Sequence, residues 1–251
     1  KYPKDPAELK KALDLRGMRI ASRWYSSFLL TRPFEEEEKD FIANLDFLAA
    51  VGANRINVSE QSYSIQGKMD VPVLTGGHKH VMDDAEWKLL CDGLNKLGKI
   101  AADRGFKLCF HHHMGTVVQT SEETDRMMAN TDPRYVFLCY DTGHFTFSKE
   151  DAVKAAKEFG PRIGHVHLKD IRPDMMEKAY AEGFKFRKAV LEGCFTIPGD
   201  GCVDYPGVFK ALHDAHYEGW FIVEAEQDPA KANPLEYAKM AREYIKKTAG
   251  I

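Results

Sequence analysis

Four apolar runs in this sequence each turn abruptly into histidine or a carboxylate. Residues 108–113 read Leu-Cys-Phe-His-His-His, and 137–144 read Phe-Leu-Cys-Tyr-Asp-Thr-Gly-His. Residues 163–170 read Ile-Gly-His-Val-His-Leu-Lys-Asp, and 220–226 read Trp-Phe-Ile-Val-Glu-Ala-Glu. In a parallel α/β protein the carboxyl ends of successive strands lie side by side, so these polar tips would converge on one site. The pattern therefore predicts a metal-assisted enzyme.

Two further runs, 19–25 and 55–60, also read as strands. Helical patterns lie between the runs. Residues 34–51 carry Phe41, Leu45, Leu48 and Ala49 and stop at Gly52. Residues 83–104 carry Trp87, Leu90, Leu94, Leu97 and Ile100 and stop at Gly105. Further helices are expected over 149–159, with Ser148 as N-cap and Gly160-Pro161 as stop, and over 205–217 and 234–247. Glu35, Glu36, Glu37 and Glu38 read as the exposed first turn of a helix, favoured there by the helix dipole.

Strand and helix thus alternate, which implies a parallel sheet with helices outside. His111 to Asp141 is 30 residues and Asp141 to His167 is 26, each close to one βα unit. The expected fold is α/β, a single (β/α)8 TIM barrel over 1–251. No glycine-rich dinucleotide loop supports a Rossmann reading. Six strands are legible where a closed barrel needs eight. The chain also opens at Lys1 in what reads as a βα loop before a helix at 5–13. The expectation is that the first two strands are lacking at the amino end.

A net charge of −3 offers no broad basic surface for phosphates, which argues against nucleic acid. No apolar run approaches bilayer-spanning length. The five cysteines are odd in number and form no C-x-x-C pair, so reduced thiols in a cytoplasmic protein are expected, without a cysteine-built structural zinc site. Cys109 and Cys139 fall inside buried strands.

At the candidate site, Asp141 closes an apolar run and needs a cation, a donor or solvent. It reads either as a metal ligand or as the cap of the next helix. His144, past Gly143, can reach the same pocket. His165 and His167 share one strand face; His167 is nearer the carboxyl end and is the better ligand, while His165 reads equally as a core histidine. His111 and His113 share a face and His112 takes the other. Of Glu224 and Glu226, Glu224 is preferred as ligand. Lys169 reads as a cationic substrate contact or a solvated loop lysine, with Asp170 beside it. Arg23, Trp24 and Glu60 read as strand-end residues that line the pocket or serve the fold. The segment 197–205 reads as a glycine-rich loop lid with Asp204 as helix N-cap. Mixed imidazole and carboxylate donors suit Mn, Co, Fe or Zn rather than magnesium.

Together these segments resemble the xylose-isomerase-like, AP-endonuclease-like barrel superfamily. The likeness rests on His111 (where that superfamily usually has Glu), Asp141 with His144, His167 with Asp170, the loop Pro198, Gly199, Asp200 and Gly201, and Glu224. Residues 22–27, 111–116 and 223–229 carry a narrower likeness to the myo-inosose-2 dehydratase family. The resemblance implies a divalent metal, Mn or Co, on His111, Asp141, His167 and Glu224, and a glutathione requirement in some members. It also implies dehydration of 2-keto-myo-inositol to a trihydroxycyclohexane-1,2-dione through an enediolate. His144 and His113 are the first acid/base candidates, with Glu60 and Glu226 behind them. Arg23, Trp24, Lys169 and Asp170 are candidates for substrate binding. The expected partner is a small cyclic polyol ketone, with homo-oligomerisation left open. A ketose isomerase or epimerase of the same fold, and a barrel that binds metal or sugar without turnover, are the competing readings.

Overall fold

The chain enters through helix α1 (Pro6–Asp14), whose N-cap Asp5 accepts from the Glu8 backbone N–H at 2.9 Å. Strand β1 (Trp24–Ser27) and helix α2 (Phe34–Ala50) follow, then β2 (Arg55–Glu60) and α3 (Asp84–Asp103). A capping box at Asp83 and Glu86 fixes the start of α3. Next come β3 (Lys107–His111), α4 (Ser121–Ala129), β4 (Val136–Asp141), α5 (Thr142–Phe147), α6 (Ala152–Phe159) and β5 (Ile163–Leu168). The chain then runs through β6 (Asp170–Ile171), α7 (Pro173–Glu182), α8 (Phe186–Glu192) and β7 (Phe195–Thr196). It finishes with α9 (Tyr205–Asp214), β8 (Phe221–Val223) and α10 (Pro234–Ala249). This computed structural model describes residues 2–68 and 70–251.

The six expected strands form one parallel sheet in the order β1-β2-β3-β4-β5-β8. Among the described residues β1 pairs with β2 alone and β8 with β5 alone. The main core fills the space between sheet and helices, with Phe41, Leu45, Leu90, Leu94, Leu108, Leu138 and Val166 fully buried. Tip alignment follows from register: His111 lies opposite Cys139, and Asp141 opposite His167.

The register slips between Leu138 and Cys139, so that Leu138 faces Ile163 but Cys139 faces His165. Gly164 is the extra residue of this bulge. A Cβ on Gly164 would stand 2.8 Å from both Cys109 Sγ and Phe137 Cβ. Gly164→Ala is expected to destabilise the fold by about 1–3 kcal/mol through overpacking. Denaturant unfolding reads this directly, and an unchanged midpoint would contradict it.

Several expectations are corrected. The first strand is Trp24–Ser27 rather than 19–25, because its ladder to β2 begins at Trp24 opposite Asn57. Trp24 therefore opens the strand and Arg23 precedes it, instead of both ending it. The N-cap of α6 is Asp151, not Ser148; its side chain accepts from Lys154 N at 2.9 Å. Glu37 is not exposed: it is fully buried, where it takes the Tyr25 hydroxyl at 2.9 Å and Arg32 at 2.9 Å.

The excursion between β5 and α9 had only its end, 197–205, assigned from sequence, as a glycine-rich loop lid. It contains the antiparallel pair β6 and β7 and two helices, packed on a small second core of Val73, Met114, Phe147, Ile171, Phe184 and Phe195. Arg172 ties its base by donating to Gly193 O, Thr196 Oγ1 and Asp200 Oδ2. This subdomain overhangs the carboxyl end of the sheet.

Candidate metal centre and active site

Asp141 ends β4 and begins α5 in one residue. Its Oδ1 caps the helix by accepting from Gly143 N at 2.8 Å and His144 N at 2.9 Å. The cap reading describes Oδ1 alone, and Oδ2 remains free of the cap. Oδ2 is buried and accepts no hydrogen bond. Around it stand His111 Nε2 and His167 Nδ1 at 3.6 Å, Lys169 Nζ at 3.7 Å and His144 Nε2 at 3.8 Å. These separations are too long for hydrogen bonds. His167 Nδ1 also lies 3.1 Å from His111 Nε2 and 2.9 Å from Glu224 Oε2.

A buried carboxylate oxygen without a donor, ringed by imidazole and carboxylate atoms, fits a divalent transition ion. His111, Asp141, His144 and Glu224 offer ligand atoms all within 4.8 Å of one another. His144 stands in that group where His167 was expected, and His167 joins it through its 3.6 Å approach to Asp141, 2.9 Å to Glu224 and 3.1 Å to His111. His167 turns its other nitrogen, Nε2, to the Asn57 side-chain amide at 3.2 Å, the outer contact that orients a ligating imidazole. Sequence reading passed over Asn57 and over Cys139, which groups with His111 and His167 within the same 4.8 Å limit.

Lys169 is no solvated loop lysine. It is fully buried, and a Cβ on Gly143 would meet its stem at 2.5 Å. Its ammonium donates to His144 Nε2 at 2.9 Å and to Glu226, and lies 3.3 Å from Glu224 Oε2. Burial opposes the charge, but Asp141, Glu224 and Glu226 together hold Lys169 protonated. Burial likewise pushes Asp141 up, and the surrounding Lys169 and histidines outweigh it and hold the carboxyl well below its usual range. Glu226 moves the other way: burial first, then the neighbouring Glu224, raise its pKa. Its backbone sits at φ 43°, a left-handed conformation uncommon for a non-glycine residue.

His113 donates from Nδ1 to Met114 O at 2.8 Å, which leaves Nε2 as the lone-pair nitrogen. Burial holds its pKa down to about 3. His113 packs against His144 with ring centres 3.8 Å apart and the rings tilted by 42°. A cavity of about 380 Å³ opens above these groups, lined by Trp24, Gln66, His111, His113, Phe186, Glu224 and Glu226. That volume is within the usual range for small-ligand sites, about 300–1,000 Å³.

Of the other sequence candidates, Trp24 lines the cavity and the rest make contacts of other kinds. Arg23 stacks its guanidinium on Phe47 of α2 at 4.8 Å, because successive residues point to opposite faces and Trp24 takes the inward one. Trp24 sets its ring edge-on to His111 at 5.3 Å. Asp170 accepts from Ile171, Gly199 and Val203 backbone N–H groups and so anchors the glycine-rich loop rather than a substrate. Glu60 is equally occupied, by Ser27 Oγ, Leu29 N and Ser62 N. His112 stacks on Phe145 at 3.7 Å, behind the sheet face that carries His111. His165 points inward but deeper, against Ser22 Oγ at 3.2 Å. Asp204 is the N-cap of α9 as expected.

Burial lowers the pKa of His112, His113, His144 and His165, to about 3 for His113 and His165. The unfolded chain takes up these protons near pH 6.5 and the fold refuses them. Stability therefore falls as pH drops below about 6.5, by up to about 1.4 kcal/mol per pH unit for each such group. His167 has the opposite sign. Although burial opposes it, contacts with Cys139, Asp141 and Glu224 raise its pKa, so its contribution is present at low pH and lost as pH rises through the folded value. The net expectation for metal-free protein is a urea midpoint that declines from about pH 6.5 downward; a flat midpoint to about pH 5 would contradict it.

A parallel βα sheet with a cluster of His, Asp and Glu side chains that could hold a metal ion at its carboxyl ends has the layout of a TIM-barrel active-site face. The chain belongs to the xylose isomerase-like TIM barrel family, whose model matches residues 1–248. It is 56% identical over 251 residues to an inosose dehydratase of Clostridium beijerinckii, covering all of this chain and 84% of that protein. An inosose dehydratase of Geobacillus thermodenitrificans is 54% identical over the same span, with the same coverage. A crystal structure of IOLI protein with a zinc atom superposes with TM-score 0.73 at 16% identity, covering 98% of this chain and 81% of that one.

Proposed function

We propose that this protein is a hydro-lyase that removes water from an inosose, a cyclic polyol ketone, giving a trihydroxycyclohexane-1,2-dione. The likeness to inosose dehydratases over all of this chain and 84% of theirs supports the substrate. The single structural observation that carries the reading is the unpartnered Asp141 Oδ2 at the focus of His111, His167 and Glu224, beneath a cavity that also exposes a base and an acid.

A divalent ion, Mn or Co, would be held by His111, Asp141, His167 and Glu224, and would supply Lewis-acid polarisation of the ketone. The chain's own groups do the proton work. His113 is the base for the proton beside the carbonyl: it is neutral, its tautomer is set by Met114 O, and its ring lines the cavity. His144 was the other first choice, but its Nε2 lone pair already accepts from Lys169. It serves better to position that ammonium. Glu226 and the Lys169 ammonium it accepts from form the hydrogen-bonded pair that delivers a proton to the departing hydroxyl. Trp24 and Phe186 flank the cavity and exclude water from one side of the ring.

Glutathione would act as an added reductant or activator in solution, as the family likeness implies. The five cysteines, all free, fit a reducing compartment, and we read the enzyme as cytoplasmic. No described helix is long and apolar enough to cross a membrane.

The test separates dehydration from isomerisation. Purified protein is incubated with 2-keto-myo-inositol, with chelator and then with Mn added back, and products are followed by mass. Loss of the mass of one water from the substrate that disappears with chelator and returns with Mn supports the reading. Isomers of unchanged mass would replace it with an epimerase, and no turnover in any condition would favour a binding barrel. His113→Ala is expected to lower kcat by about 10²–10⁴-fold with KM little changed.

A further inference from the structure

Beneath Asp141 on the same strand lies a donor of different chemistry. Cys139 is two residues earlier in β4, so both side chains share one face, with the thiol one step deeper. The cysteine sulfur, His111 and His167 offer ligand atoms all within 4.8 Å of one another, and all three side chains are buried. His111 Nε2 and His167 Nδ1 stand 3.1 Å apart. Two nitrogens bound tetrahedrally to one zinc at about 2.0–2.1 Å lie about 3.3 Å apart, so this pair is already spaced for a shared ion.

We propose that the centre contains two nested cation positions that share His111 and His167. The outer one is completed by the hard oxygens of Asp141 and Glu224 and suits Mn or Co. The inner one is completed by the Cys139 thiolate and takes thiophilic ions such as zinc and cadmium. On binding, the S–H bond breaks, its proton passes to solvent, and a sulfur–metal bond forms without electron transfer. Because the two positions share two imidazoles, they fill one at a time. A thiophilic ion in the inner position draws His111 and His167 down, away from the cavity that holds substrate, and so blocks the enzyme. Cys139 thereby decides which metals inhibit. The inference rests on the reading that the outer position is the catalytic one.

The test is direct metal binding to the intact protein. Metal-free wild type, Cys139→Ser, Cys139→Ala and, as a control, Cys109→Ser are titrated with cadmium, following the thiolate-to-metal charge-transfer absorption. Manganese affinity is measured in parallel by competition with a chelator. Expected is a one-equivalent charge-transfer band in wild type and Cys109→Ser, absent from both Cys139 variants. Cadmium affinity in the Cys139 variants should fall about tenfold or more, with manganese affinity within about twofold of wild type. A band that survives in both Cys139 variants, or no band in wild type, overturns the proposal. So does an equal loss of cadmium and manganese affinity in a variant with native circular dichroism. If wild type shows the Cys139-dependent band but does not dehydrate the inosose, the functional reading fails while the inner position stands.

Discussion

Asp141→Asn is expected to lower turnover of the inosose by a factor on the order of 10³ while leaving a folded protein. Asparagine keeps an oxygen where Oδ1 accepts from Gly143 and His144, so the cap of α5 survives. What it removes is the anionic Oδ2, a buried carboxylate oxygen that lacks a partner among the described residues. Losing that charge removes several kcal/mol of cation stabilisation, and each 1.36 kcal/mol (about tenfold) compounds in rate. Manganese affinity should weaken on the order of 10²-fold. Circular dichroism and steady-state kinetics on one preparation check both halves. More than about a tenth of wild-type turnover would remove Asp141 from the centre.

Lys169→Met is expected to be the most destabilising change at the site. The ammonium is buried among Glu226, Glu224 and Asp141. Removing it leaves those carboxylates without their cation, a change that costs about 3–5 kcal/mol when one member of a buried ion group is deleted. Methionine keeps most of the stem volume against Gly143, so the loss is electrostatic rather than a cavity. The same reasoning predicts rescue: a bound dication compensates the carboxylates and stabilises the variant more than wild type. Urea unfolding with and without Mn measures this. Equal stability of Lys169→Met and wild type in chelator would show that the ammonium is not the cation these acids depend on.

The legible parts of the fold were those where one physical signal acts alone. Strand β2 was read with its observed bounds, 55–60, because Gly52 and Gln61 bracket a buried run. The tips of β3, β4 and β5 were legible because an apolar run ending in His or Asp has few places to go but the mouth of a parallel sheet. Strand β1 was misplaced because neither 19–25 nor 24–27 carries a clean period-2 pattern, and only pairing to β2 chooses between them. The two-residue strands β6 and β7 carry no periodicity and exist through each other and the second small core.

Within the site, the limit was of a different kind. Glu60, Asp170 and Glu224 look alike in sequence, as acids at strand ends. The first two meet backbone N–H groups and the third does not, which depends on how distant loops close. Lys169 was ambiguous for the same reason, since its burial is set by Gly143 and by β8. Cys139 was hidden because a cysteine inside an apolar strand reads as core until the facing imidazoles are seen.

The most direct test is where manganese sits. A crystal soaked in Mn and measured at the metal's absorption edge should show one anomalous peak. It should be about 2.0–2.3 Å from His111 Nε2, Asp141 Oδ2, His167 Nδ1 and a Glu224 oxygen, facing the cavity that His113 and Glu226 line. A peak held by other residues, or none at full dehydratase activity, would contradict the account.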